Sequence, residues 1–137
     1  MASHQIPGTL TRRATAWFAW VLTIAAFLLG LLALVVVFED WAGGRGMTAT
    51  WTTWLNLITG LTGVSGATGY GFGKRWGLYA FGVSVLGHIA AHTALILGAI
   101  AHHRVTIFSI GGLSVIPAIA ICILIGMVWQ HNRSAHT

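Results

Sequence analysis

Four apolar stretches, each of about 20 residues or more, constrain this chain more than any other feature of its sequence. They cover approximately residues 16–38, 50–72, 76–101 and 105–129. A helix of about 20 apolar residues crosses the roughly 30 Å of hydrocarbon in a bilayer. We therefore predict an all-α integral membrane protein, in which four transmembrane helices form a compact bundle.

The composition of the chain excludes an ordinary soluble surface. Of 137 residues, 56% are hydrophobic and only 7% are charged, whereas soluble domains carry about 25% charged residues. Glu39 and Asp40 are the only acids, so the net charge of +5 reflects scarce acids rather than a nucleic-acid-binding patch. The single cysteine, Cys122, excludes an internal disulfide and a cysteine-rich metal site. The main partner of this surface is expected to be the lipid bilayer.

The whole chain is expected to form one membrane domain. Besides the four spans, this domain is predicted to have two cytoplasmic tails, at residues 1–13 and 130–137, and an outer loop at 39–49. The first apolar run exceeds the roughly 7–15 residues of a signal-peptide core, and no convincing small-x-small cleavage site follows it. We therefore interpret the first span as an uncleaved anchor.

Basic residues indicate the orientation of the spans. Five of the seven lie on the side of the two tails: Arg12, Arg13, Lys74, Arg75 and Arg133. Arg45 and Arg104 lie on the other side, and all seven tryptophans fall near predicted span ends. The positive-inside rule then places both termini in the cytoplasm. In build, and in the KRWGL sequence that opens span three, the chain resembles small four-span proteins of the bacterial inner membrane, which implies that location.

A glycine repeat occupies the second span. In TGLTGVSGATGYG, residues 59–71, every third residue from Gly60 to Gly69 is glycine. The backbone must still be helical in hydrocarbon, because an unpaired amide there costs several kcal/mol. A helical wheel places Asn56, Gly60, Gly63 and Ala67 on one face. Small residues allow close helix approach, so this face predicts the packing centre of the bundle. A pore lining or a hinge is the alternative.

Two histidines one turn apart are the most chemically distinctive feature of the third span. His88 and His92 share a helical face, which we expect to point inward. Ionisable residues inside a span are functional candidates by default. They would brace the bundle through hydrogen bonds, for example to Asn56, or relay a proton, or bind zinc or copper.

A metal site would need further ligands. His102 and His103 are the nearest candidates in the sequence, and the remaining ones are Cys122, Met127, Glu39 and Asp40. His88 lies about four turns deeper than His102, so one site cannot include all four histidines. A b-type haem is disfavoured because no histidine lies in the middle of another span.

No catalytic constellation is visible, so we expect no enzymatic activity. The chain is predicted to be a structural, accessory or assembly component that contacts itself or other membrane proteins through helix packing. The alternative is a carrier or binding protein for a metal ion, a proton or a small apolar ligand, acting through His88 and His92. No cofactor is expected apart from zinc or copper at the histidines. Pro117 removes a backbone donor and should kink span four.

Overall fold

A computed structural model describes residues 8–43, 51–101 and 107–134 of the chain. These residues form four helices, which are α1 (Gly8–Ala42), α2 (Trp51–Gly71), α3 (Arg75–Ala101) and α4 (Ile107–Ser134). The prediction of four helices is confirmed. The outermost parts of both predicted tails, most of the predicted outer loop, and His102 and His103 lie outside the described residues.

Three helices have the length and composition of a membrane span. These segments are Ala16–Ala42, Arg75–Leu97 and Ser114–Arg133. Helix α2 has 21 residues, which corresponds to about 32 Å at a rise of 1.5 Å per residue. It is therefore long enough to cross hydrocarbon, but its glycines and threonines make it less apolar than the other three.

Several helices continue beyond the apolar runs that predicted them. Helix α1 includes Glu39 and Asp40, which the sequence had assigned to a loop. The hydroxyl of Thr53, near the start of α2, donates a hydrogen bond of 2.9 Å to the Asp40 carboxylate and so ties the two helix ends together. Helix α4 continues through Pro117 on both sides and reaches Ser134. The kink at Pro117 stays a prediction.

The helices form an antiparallel ring in which each packs against its neighbours in sequence, and α4 closes the ring on α1. Thr23 of α1 lies beside Gly71 of α2, whereas Gly30 lies beside Gly63, so the two helices run in opposite directions. Eight buried residues form the hydrophobic core near one end of the ring: Leu22, Ala26, Ala67, Phe81, Val85, Ala120, Ile123 and Met127.

The glycines of α2 face two different neighbours. A Cβ atom added to Gly63 would lie 2.9 Å from the Gly30 Cα atom of α1. A Cβ added to Gly66 would lie 2.8 Å from the Phe81 Cα atom of α3 and would collide with the Phe81 amide nitrogen. Backbone therefore meets backbone on both sides of α2, an approach that only residues without a side chain allow.

A glycine cap ends α2 and starts α3 within a few residues. Gly73 adopts the left-handed conformation, with φ of 69°. The Lys74 amide donates to the Gly69 carbonyl at 2.9 Å, and the Gly73 amide donates to the Tyr70 carbonyl at 2.8 Å. This pair of bonds is a Schellman motif, which satisfies the last carbonyls of a helix. It holds Lys74 and Arg75 at the end of the bundle.

Candidate functional site

A small buried polar patch lies between α2 and α3, on the face of α3 that carries the histidines. It consists of Thr59, Ser84 and His88, whose side chains are 1%, 0% and 4% exposed. The Ser84 hydroxyl donates a hydrogen bond of 2.8 Å to the Thr59 carbonyl. A backbone carbonyl oxygen can accept this bond in addition to its hydrogen bond within α2. The Ser84 hydroxyl therefore cross-links the two helices without disrupting either helix.

Glycines make room for this patch. A Cβ added to Gly63 would lie 2.8 Å from the Ser84 hydroxyl oxygen, and a Cβ added to Gly87 would collide with the Thr59 hydroxyl. Each hydroxyl therefore occupies space that a side chain on the opposite helix would take. Sequence analysis did not identify Thr59 or Gly87, although Ser84 lies on the predicted histidine face.

The two histidines interact within α3. His92 Nδ1 lies 2.8 Å from the His88 carbonyl oxygen, one turn earlier. In the tautomer that carries its proton on Nδ1, His92 donates to this carbonyl, which leaves Nε2 as an acceptor. The two ring centroids are 6.1 Å apart. This arrangement fixes the orientation of the His92 ring relative to His88.

One nitrogen of the patch is buried without a partner. His88 Nε2 has no hydrogen bond in the described part of the chain, and neither does the Thr59 hydroxyl. Buried polar atoms are usually satisfied, so each exception requires an explanation. Asn56, the partner suggested by the sequence, is half-buried on α2. The hydrogen bonds formed in the described residues do not join it to either histidine.

The predicted histidine face points inward only in part. Gly77, Phe81, Ser84 and His88 share this face of α3 at helical spacing, and all four are buried. His92 is half-buried, and Leu95, one turn beyond it, is 49% exposed. The inward face thus ends near His92, which lies about level with the start of α2 at Trp51. His102 lies outside the described residues.

The described residues do not bring a full metal-ligand set together. No group of three or more His, Cys, Asp or Glu side chains lies within metal-binding distance among them. Met127 is buried, but its carbonyl lies 3.4 Å from the Tyr70 hydroxyl. Tyr70 is about 16 Å along α2 from Thr59, so Met127 is far from His88. Cys122 is exposed on α4.

Asp40 lies close to the level of the two histidines along the bundle. Thr59 faces Gly87 across the antiparallel α2–α3 contact. Thr53 is about 9 Å further along α2, which corresponds to the level of His92 on α3. Since Thr53 binds the Asp40 carboxylate, this acid is about one helical turn from the level of His88.

The residues predicted to pack the bundle are all buried. Gly60 and Gly63 lie against α1, and Ala67 belongs to the hydrophobic core. Gly66 and Gly69 are also buried but face α3. On a helical wheel these two glycines step away from the face of Gly60 and Gly63. The structure shows the reason: the repeat packs against two neighbouring helices, α1 and α3.

Comparison with known proteins adds no further information, since no protein family model, curated protein or solved structure matches this chain.

Proposed function

We propose that this chain is a four-span protein of the bacterial inner membrane, with both termini in the cytoplasm. An even number of antiparallel helices returns both termini to one side. Five basic residues belong to that side and two, Arg45 and Arg104, to the other. This asymmetry supports a cytoplasmic position for the termini.

The tryptophans provide independent support for membrane insertion. All seven are exposed, from 46% for Trp129 to 71% for Trp17. Exposed indole rings next to other apolar side chains are unfavourable on a surface that faces water. At the level of lipid headgroups, the same rings are stabilised. The large side chains exposed on the outer faces between the tryptophans are mainly leucine, isoleucine, valine and phenylalanine. This distribution supports lipid contact around the bundle.

Reporter fusions test this topology. A reporter fused after Thr137 and a second inserted at Gly44 should report opposite sides of the membrane. Signals from the same side would contradict a first span that crosses the bilayer once. A further insertion at Gly73 should agree with the first reporter, since an α2 that crosses the bilayer returns the chain to the cytoplasmic side.

We further propose that the protein is a non-enzymatic structural or accessory component. The backbone contact of α2 with both α1 and α3 carries this proposal. The glycines lie at the contacts between the helices, and the polar side chains of the patch are buried between α2 and α3. Contact with a second copy or with another membrane protein would then use the apolar outer faces, where helices associate through packing.

The state of the protein in its own membrane tests an accessory role. The chain has a mass of 14.6 kDa. Extraction of the full chain in polymer-bounded membrane particles, followed by mass measurement, should give an assembly heavier than one chain plus its lipid. A single chain with no second protein would contradict the proposal. The single cysteine, Cys122, is exposed and allows the assembly to be cross-linked before extraction.

A second candidate function is ligand handling through His88 and His92. The buried, unpartnered Nε2 of His88 favours it, because a metal ion, a proton or a polar ligand would satisfy that atom. Metal content is the direct test. Wild-type protein purified without chelator and offered zinc or copper should retain stoichiometric metal if this candidate is right. Metal-free protein would leave the histidines as internal braces.

A further inference from the structure

A basic cavity opens at the end of the bundle where α2 turns into α3. Its volume is about 400 Å³, and its polar lining residues are Tyr70, Lys74, Arg75, Gln130 and His131. Cavities of this size fall within the range of small-molecule sites. The α2–α3 turn, the first turn of α3, and the last turns of α4 all contribute, together with Ala19 of α1. All four helices therefore meet at this cavity.

The cations of this cavity have no carboxylate partner within the protein's side chains. The chain contains two acids, Glu39 and Asp40. Ala19 of α1 lines the cavity, and Asp40 lies about 30 Å further along the same helix. Opposite charges at that distance are fully screened at physiological ionic strength. No acidic side chain of this chain therefore neutralises Lys74 and Arg75, which leaves both cations available to an anion from outside.

The start of α3 adds to this preference for an anion. Helix α3 begins at Arg75, which lines the cavity, and its first turn contains no acidic residue. The amide groups at a helix N-terminus and the positive end of the helix dipole both favour a negatively charged group. Two side-chain cations and one helix end thus act on the same volume.

An apolar groove adjoins the basic cavity. It lies between α1 and α2, has a volume of about 260 Å³, and includes Trp20, Ile24, Phe27 and Phe72. Gly71 lines both the groove and the cavity. The cavity and the groove are therefore neighbours at the end of α2, where the headgroup and the acyl chain of one lipid would lie. Trp20 is 60% exposed, as expected for an aromatic ring at the boundary between headgroups and hydrocarbon.

We propose that the cavity and the groove together bind one anionic phospholipid. Its phosphate lies in the basic cavity near Lys74 and Arg75, and one acyl chain lies in the groove beside Phe27. The inference rests on the membrane insertion proposed above. Charge complementarity selects an anionic over a zwitterionic lipid, and the adjoining apolar groove selects a lipid over a soluble phosphate. Basic residues near a membrane surface favour anionic lipids by about fivefold each, which gives about 25-fold for the pair.

Native mass spectrometry of the full chain provides the test. The protein in detergent is offered equal amounts of 1-palmitoyl-2-oleoyl phosphatidylglycerol and the corresponding phosphatidylcholine. Wild type should retain one phosphatidylglycerol with a preference of about 25-fold. The variant Lys74→Gln/Arg75→Gln should lose most of this preference. The charge-matched control Arg45→Gln/Arg104→Gln, altered on the side of the membrane predicted to lie opposite the cavity, should keep it.

A second pair of variants tests the groove. Thr68 is exposed and lines the groove, so Thr68→Trp should fill it and abolish most of the retention of phosphatidylglycerol. Val83 is exposed on the outer face of α3, and Val83→Trp is the matched control that should retain the lipid. Both changes replace an exposed side chain, so the bundle is expected to fold in each case.

Three results would overturn the lipid site. These are equal retention of the two lipids by wild type, equal losses in the two charge variants, and displacement of the lipid by millimolar inorganic phosphate without any effect of Thr68→Trp. The last result would assign the cavity to a soluble anion. The reporter fusions described above test membrane insertion whether or not lipid is retained. They therefore show whether a negative result concerns only the lipid site or also the proposed insertion.

Discussion

Replacing Gly66 with alanine should destabilise the bundle, although alanine is the better helix former. A Cβ at this position would lie 2.8 Å from the Phe81 Cα atom and 2.9 Å from the Gly77 carbonyl oxygen. Comfortable carbon contacts begin near 3.5 Å, so α2 and α3 would have to separate by at least about 0.7 Å, and by more to clear the Phe81 amide nitrogen, which lies closer still. The obstructing atoms belong to the backbone, and no side-chain rotation can relieve the contact.

The magnitude follows from two opposing effects. Overpacking a well-packed interior costs about 1–3 kcal/mol, and a contact with backbone belongs at the upper end of that range. The higher helix propensity of alanine returns about 1 kcal/mol. The net loss for Gly66→Ala is therefore about 2 kcal/mol. Gly82 provides the matched control, since a Cβ there would meet nothing within 4 Å. Gly82→Ala should instead stabilise the protein by about 0.4–1 kcal/mol.

Unfolding in mixed micelles measures this difference. The helical circular dichroism signal is followed as sodium dodecyl sulfate replaces a mild detergent, and free energies are compared at a fixed micelle composition. Opposite signs for the two alanine variants are the expected outcome. Equal stability of Gly66→Ala and Gly82→Ala would refute the claim that α2 and α3 are in backbone contact.

Two further double substitutions address the two faces singled out by the sequence. Gly60→Leu/Gly63→Leu should prevent accumulation of folded protein, because both positions lie in the α1–α2 contact. The control Ser65→Leu changes an exposed position of the same helix and should leave the amount of folded protein unchanged. If all three leucine positions behaved alike, the packing face would be wrongly assigned. If the histidines brace the bundle, His88→Gln/His92→Gln should change the unfolding free energy by only about 0.6 kcal/mol per hydrogen bond. A loss of unfolding free energy several times larger would contradict a bracing role.

The sequence predicted the helices well because long apolar runs report directly on helices that contact lipid or core. It predicted the helix ends less well, because their positions depend on contacts between elements. Asp40 is helical and binds Thr53 of α2, a pairing that no local pattern indicates. The division of the glycine repeat between α1 and α3 also depends on where the neighbours lie.

The polar patch and the basic cavity show the same limit of sequence analysis. Ser84 and His88 lie on one predicted face, but the Thr59 carbonyl that binds Ser84 comes from another helix. Lys74 and Arg75 were visible as a basic turn. Their enclosure with Gln130 depends on where α4 ends. Periodicity along one helix indicates which residues share a face, and tertiary packing decides what that face meets.

Helix α2 shows why low hydropathy need not argue against a fourth span. Its glycines are buried between α1 and α3 and make no use of hydrophobicity. Two of its hydroxyls are bonded within the helix, with Thr62 donating to the Ile58 carbonyl at 2.7 Å and Thr68 to the Val64 carbonyl at 2.8 Å. Such internal bonds reduce the cost of a hydroxyl in hydrocarbon. A hydropathy average counts these residues as though they faced the bilayer unpaired, whereas the glycines lie against neighbouring helices and the two hydroxyls are hydrogen-bonded within α2.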